Sequence, residues 1–198
     1  MNKNIIKDAL RALRKGVART TAEGLFIPDA KICIGGVFSV YDLDDNGRRV
    51  GEGHNRVVSS GLNRLLNVLA GHNPAPTFYL APFSNDVEPQ ANWTGANFAS
   101  LAGEFTAYAA TSRPQWVTVA TTNAELTNIA DIANATLVLN AGGPYTIRGC
   151  GLLESSGKGS TTGPLFAAGR FDDDITGLSG GGKLGLEYRL AARDSADA

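Results

Sequence analysis

The period of polar and apolar residues changes along this chain. Between residues 3 and 19, Ile5, Ile6, Ala9, Leu10, Leu13 and Val17 recur at helical spacing, and Lys and Arg fill the opposite side. This pattern predicts an amphipathic helix. Asn2 or Asn4 would cap its start, and Gly16 weakens its end. Residues 20–30 read as a connector broken by Gly24 and Pro28, with Leu25, Phe26 and Ile27 as an anchor point. From Lys31 the chain turns β-rich through Ile32, Ile34, Val37, Phe38 and Val40. Asp44-Asp45-Asn46-Gly47 then supplies turn chemistry, and Arg48-Arg49-Val50 leads back, which predicts a hairpin.

Ser59 or Ser60 is expected to cap a second helix running through Leu62, Leu65, Leu66, Val68 and Leu69, which Gly71 ends. After the rigid turn Asn73-Pro74-Ala75-Pro76, residues 77–83 read as a strand and 84–100 as irregular chain. Further strands are expected over 106–110, 115–120, 136–140, 145–155, 165–171 and 183–191, separated by Gly, Ser and Thr clusters. In the last of them Leu184, Leu186, Tyr188 and Leu190 would share one face. These elements predict a mainly β fold, a β-sandwich or jelly-roll-like domain with an N-terminal amphipathic helix and one short internal helix. The expected division is a helical arm and connector over 1–30 and a sandwich domain over 31–198.

More than half of the aromatic residues fall between Thr77 and Trp116: Phe78, Tyr79, Phe83, Trp93, Phe98, Phe105, Tyr108 and Trp116. The densest packing is expected there. This stretch holds only Asp86, Glu88 and Glu104 as acids, and neither His nor Cys. Trp93, in the irregular part, is the candidate for an exposed aromatic platform of the kind a carbohydrate-binding module uses.

Charge changes the picture at one end. The net charge is −1 over 198 residues, but residues 1–19 hold Lys3, Lys7, Arg11, Arg14, Lys15 and Arg19 against Asp8. That local excess of +5 leaves −6 on the rest. A basic end on an acidic body marks a segment that docks on something acidic. The apolar stripe of the arm lacks aromatic residues, which favours packing on protein over a membrane surface. The charged N-terminus lacks the apolar core of a secretion signal, and no apolar run is long enough to cross a membrane, so a protein kept in the cytosol is expected.

Candidate chemistry is sparse. Asp42-Leu43-Asp44-Asp45-Asn46-Gly47 opens like an EF-hand calcium loop, but Gly53 stands where the bidentate Glu belongs, and Glu52 comes one residue early. A hairpin turn is the expectation. Cys33 and Cys150 match no zinc spacing and are expected to be two buried thiols. His54 and His72 are expected on the surface, and Asp172-Asp173-Asp174 in a solvated turn. A Glu154 or Asp172 carboxylate pair for glycoside chemistry is not singled out by the pattern. No catalytic residue, metal or cofactor is expected.

Four blocks carry a resemblance: 61–69 (Gly-Leu-Asn-Arg-Leu-Leu-Asn-Val-Leu); 78–83 (Phe-Tyr-Leu-Ala-Pro-Phe); Trp93 to Phe98 with 104–108 and 113–116; and 151–156, 165–171 and 184–190. Their order resembles a group of tailed-bacteriophage structural proteins over roughly residues 55 to 191, including head decoration (cement) proteins and tail- or fibre-associated proteins. The N-terminal helix is outside that pattern. The resemblance implies a virion protein, assembled in the host cytoplasm, that binds the major capsid protein and copies of itself and cements capsid subunits, with no direct contact to nucleic acid or membrane. Ile6, Leu10, Leu13 and Val17 would form the contacting stripe of the arm, and Arg11 and Arg14 would meet acidic patches. A tail or fibre-attachment role is the alternative, and a carbohydrate-binding β module a more distant one.

Overall fold

A computed structural model describes residues 18–20, 26–28 and 32–194. The chain divides into two units, Gly35–Ala191 and the remainder, Met1–Ile34 with Ala192–Ala198. In the smaller unit, strands β1 (Ala18–Thr20) and β2 (Phe26–Pro28) pair antiparallel, with Arg19 opposite Ile27. The connector therefore contains a strand, and the expected helix does not reach Arg19. Residues 3–17 of that expectation lie outside the described residues.

The larger unit is built on two antiparallel sheets. One has the order β5-β11-β10-β6-β7 and the other β4-β3-β12-β8, with β9 also paired to β12. The strands are β3 (Ile32–Asp42), β4 (Arg48–His54), β5 (Arg56–Val57), β6 (Phe78–Phe83), β7 (Gln115–Trp116), β8 (Glu125–Thr127), β9 (Thr136–Val138), β10 (Tyr145–Leu153), β11 (Leu165–Leu178) and β12 (Lys183–Asp194). The main core draws on both sheets: Phe38 and Val40, Leu184, Leu186 and Tyr188 on one side, Leu80, Ile147, Leu152, Phe166 and Phe171 on the other. Phe38 stacks on Tyr188 with centroids 4.3 Å apart, and Trp116 Nε1 donates to the Tyr188 carbonyl at 2.8 Å. The shared face expected in β12 forms: Leu184, Leu186 and Tyr188 enter the main core and Leu190 packs half-buried against it, while Gly185 and Glu187 of the other face are buried as well.

The β3–β4 hairpin forms as expected. Asp42 Oδ1 accepts from the backbone N–H of Asp44 at 3.0 Å and of Asp45 at 3.3 Å, and Asp44 Oδ2 accepts from Lys183 N–H at 2.8 Å. Asn46 and Gly47 take the left-handed conformation that closes the turn. The calcium-like carboxylates are thus engaged in turn geometry. Opposite Phe38 and Val40 stand Gly53 and Gly51. A Cβ at Gly53 would overlap the Arg170 carbonyl, so the missing side chain is what lets β4 and β11 approach at the edge between the sheets.

A second cluster covers the outer face of the β6–β10–β11 sheet: Ala81, Phe83, Trp93, Phe98, Ala102, Leu153, Leu165 and Ala168. Helix α2 (Gly95–Ala102) supplies its lid, inside the stretch expected to be irregular. Thr94 and Asn97 form a reciprocal cap, and Gly103 ends the helix at φ 60. Helix α1 (Ser59–Leu69) forms where expected, but its N-cap is Val58 with no side-chain hydrogen bond, so neither serine caps it. Ser60 instead donates to the Leu165 carbonyl at 2.9 Å.

Several expected strands shorten or grow. Residues 106–110 make a single bridge, Tyr108 to Leu139, and 115–120 retain only β7. β11 runs on through Asp172, Asp173 and Asp174, which lie in a strand and not in a turn.

Candidate functional site

Trp93 was the candidate exposed aromatic, and the structure corrects this. It is 5% exposed, and its ring meets Phe83 and Phe98 edge-on at 6.4 and 6.3 Å. The reason is tertiary: three rings pack edge-to-face under α2, where each aromatic removes the most apolar area from water. Ile6, Leu10, Leu13, Val17, Arg11 and Arg14 all lie outside the described residues. The cysteines split. Cys150 is buried and burial pushes its thiol far up, whereas Cys33 is exposed, against the expectation of two buried thiols. His54 and His72 are exposed as expected.

The most buried charges sit at the exit of α2. Arg113, 1% exposed, donates to both Glu104 oxygens at 2.8 and 2.7 Å and to the Ser155 carbonyl at 2.8 Å. Glu104 also accepts from the Gly159 N–H at 3.0 Å. This fork ties the loop 155–160 to the chain leaving α2. Beside it, Lys158 Nζ lies 3.7 Å over the Tyr108 ring and donates to the Tyr108 carbonyl at 2.6 Å. The Tyr108 hydroxyl is buried with no hydrogen-bond partner among the described residues, and burial pushes its ionisation well up. A carboxylate held by a bidentate guanidinium in this way works as a clamp between the two segments.

Of the acid run of β11, Asp174 is likewise engaged, and Asp172 and Asp173 are exposed. Asp174 accepts from Arg148 at 2.8 Å and from Arg170 at 2.9 Å, and Arg170 reaches on to Asp86 at 2.8 Å. Glu154 takes a bidentate pair from Arg64 of α1. On the outward side of β12, Glu187 accepts from Tyr41 Oη and Thr127 Oγ1, each at 2.7 Å. Burial first, and then Glu187, push the Tyr41 hydroxyl up to about 12.

Shallow hollows open on the surface among the described residues. One of about 300 Å³ is lined by Arg49, Glu52, Asp172 and Asp173, and a second of about 300 Å³ by His54, Arg56, Glu88 and Gln90. Another, of about 460 Å³, runs beside α1 and is walled by Asn63, Asn67, Asn73, Thr94 and Thr161. Among the described residues, no group of three or more His, Cys, Asp or Glu side chains is placed to hold a metal ion. No described helix is long and apolar enough to cross a membrane.

The feature the sequence reasoning missed is on α1. Leu62, Leu66 and Leu69 are 43%, 63% and 75% exposed. The signal was present: with Leu65 and Val68 also apolar, this helix has more apolar positions than one buried stripe uses. Large apolar side chains grouped on one exposed helix face mark a contact surface.

Comparison of the chain with protein-family models, with curated proteins and with solved structures gives no match.

Proposed function

We propose that this protein is a virion structural protein that works by adhesion: it binds the outside of a phage capsid and cements neighbouring subunits against internal genome pressure. The single observation that carries this is the contrast between its charged and its apolar groups. Glu104, Glu154, Asp174 and Glu187 are engaged by arginines and hydroxyls of the same chain, while three leucines of α1 stay outside. A helix face that offers apolar area and carries no charge is suited to contact with protein. The sequence resemblance gives that contact its setting, and a jelly-roll-like connection of the strands belongs to the same proposal. The basic arm would add a clip, with Ile6, Leu10, Leu13 and Val17 against a capsid groove and Arg11 and Arg14 on its acidic rim. On a symmetric lattice, many weak contacts sum to strong attachment. The burial of Trp93 removes the aromatic platform on which a carbohydrate-binding reading rested.

The test is direct. Purified protein added to phage shells stripped of their decoration should bind at a saturating, lattice-related copy number, and deletion of residues 1–19 should weaken that binding. A count of only a few copies at one vertex moves the protein to the tail or a fibre. Absence of binding to shell and tail alike overturns the reading.

A further inference from the structure

Several asparagines of this chain are at work in the fold. Asn55 accepts from the Gly36 N–H and donates to Tyr188 Oη. Asn97 closes the reciprocal cap of α2, and the buried Asn128 bridges the Leu186 carbonyl and the Tyr188 N–H of β12. Asn46 is different. It stands exposed at the tip of the β3–β4 hairpin, and it is the one asparagine in the sequence that glycine follows.

The hydrogen bonds of the turn pass this residue by. Asp42 Oδ1 takes the N–H groups of Asp44 and Asp45, Asp44 Oδ2 takes that of Lys183, and the Arg48 N–H donates to the Asp45 carbonyl at 3.0 Å. Among the described residues, neither the Asn46 side chain nor the peptide unit joining it to Gly47 takes part in a hydrogen bond. Both residues are left-handed, at φ 51 and 70, and a Cβ built on Gly47 would meet nothing within 4 Å. The peptide unit is therefore unclamped, and its nitrogen has no neighbouring side chain on the glycine to shield it.

We propose that Asn46 is a site of spontaneous deamidation, with the Gly47 backbone nitrogen as the nucleophile. That nitrogen gives its proton to hydroxide and attacks Asn46 Cγ. The new C–N bond closes a cyclic succinimide, the Cγ–Nδ2 bond breaks, and Nδ2 takes a proton from water and leaves as ammonia. Water then opens the ring. Cleavage at the side-chain carbonyl leaves aspartate at position 46. Cleavage at the main-chain carbonyl leaves isoaspartate, in which the chain runs on through Cβ and Cγ. The sum is one water taken up and one ammonia released, with no oxidant and no other reactant. Ring closure requires the peptide unit to swing toward Cγ, which an unheld unit permits and a hydrogen-bonded one resists.

Each event adds one negative charge beside Asp44 and the Asp45–Arg48 pair. The isoaspartate form also lengthens the main chain between the Asp45 carbonyl and the Arg48 N–H that close the turn. The hairpin tip thus records the age of the molecule. The inference stands on the hairpin alone and holds whether or not the protein belongs to a virion.

Peptide mapping tests it. Trypsin cuts after Lys31 and Arg48 and should release residues 32–48 in one piece, with Asn46 as the one amide side chain in it. Folded protein is kept for days in warm, mildly alkaline buffer, beside chain unfolded in guanidinium. The expected result is a gain of about 1 Da in that peptide from the folded sample, growing with time and faster at higher pH, with isoaspartate and aspartate products separated by chromatography. Intact protein should move to the more acidic ion-exchange position of Asn46→Asp. Asn46→Gly, which keeps the left-handed turn and has no amide to lose, should not move. A folded sample that gains no mass in this peptide overturns the proposal, whatever the unfolded sample does. So does an acidic shift that Asn46→Gly leaves intact, since another residue would then be its source.

Discussion

Helices α1 and α2 rest on the same sheet, and both come from apolar stretches of sequence, yet they finish differently. α2 sinks Phe98 and Ala102, both 0% exposed, onto Phe83 and Trp93, and its entry and exit are closed by a reciprocal cap and a left-handed glycine. α1 buries only Gly61 completely, starts without a side-chain cap, and leaves three leucines in water. One helix completes the fold, and the other carries apolar surface beyond what the fold needs. Burying a leucine is worth about 2 kcal/mol, so exposing three on one face is a cost that a contact would offset. The difference shows where stability is held in this molecule and where apolar surface is left over.

Substitutions can break this contrast, and the largest effects belong to α2. Phe98→Ala removes a fully buried ring from the cluster and should cost about 3–5 kcal/mol in denaturant unfolding. A loss below about 1 kcal/mol would mean that α2 is as dispensable to the fold as the outer face of α1. Arg113→Ala leaves Glu104, whose side chain is 2% exposed, without its counter-charge, and should cost a comparable 3–5 kcal/mol. Replacing both residues with apolar ones should restore most of that loss, because the penalty comes from the unpaired charge.

Smaller effects sharpen the same contrast. Gly61→Ala forces α1 off the Phe166 backbone and should cost about 1–3 kcal/mol by overpacking, measured by thermal melting. Alkali should act on the body in a graded way. Tyr41, Tyr108, Tyr188 and Cys150 all hold their protons more tightly when folded than at their ordinary values of 10.0 for tyrosine and 9.0 for cysteine, chiefly through burial. The unfolded chain therefore releases these protons first. Stability from these groups is complete below about pH 9 and falls as pH rises toward their folded values. Lys158, pushed down by burial, acts in the opposite sense. Melting temperature followed from about pH 8 to 11 should decline, and a flat or rising profile would contradict the assignment. The smallest effect is expected on α1: Leu66→Ala, at a 63% exposed position, should change folding stability by no more than about 0.5 kcal/mol.

Much of the architecture was legible in local pattern. Alternation marked β12, Asp44-Asp45-Asn46-Gly47 marked the hairpin, and helical spacing with Gly71 marked α1. α2 was missed because its eight residues, Gly-Ala-Asn-Phe-Ala-Ser-Leu-Ala, are too few for a periodic signal and begin on glycine. The extension of β11 through three aspartates was missed because polarity suggests a turn. The sequence alone does not show that Arg148 and Arg170 wait alongside to take Asp174. Of the candidate site, the arm residues lie outside the described residues, Trp93 is buried where local polarity suggests an exposed ring, and the exposure of the α1 leucines depends on which face of the helix the sheet takes.

By itself the sequence determined that this is a β-rich chain with a turn-closed hairpin and a helix at Ser59–Leu69, because strand alternation, helical period and turn residues are properties of neighbours. Only the tertiary structure decided which apolar residues are core. Leu65 and Leu66 are adjacent and chemically identical, and one packs on the core while the other faces water. That choice depends on where β11 meets the helix at Gly61, a contact across about a hundred residues that no local pattern encodes.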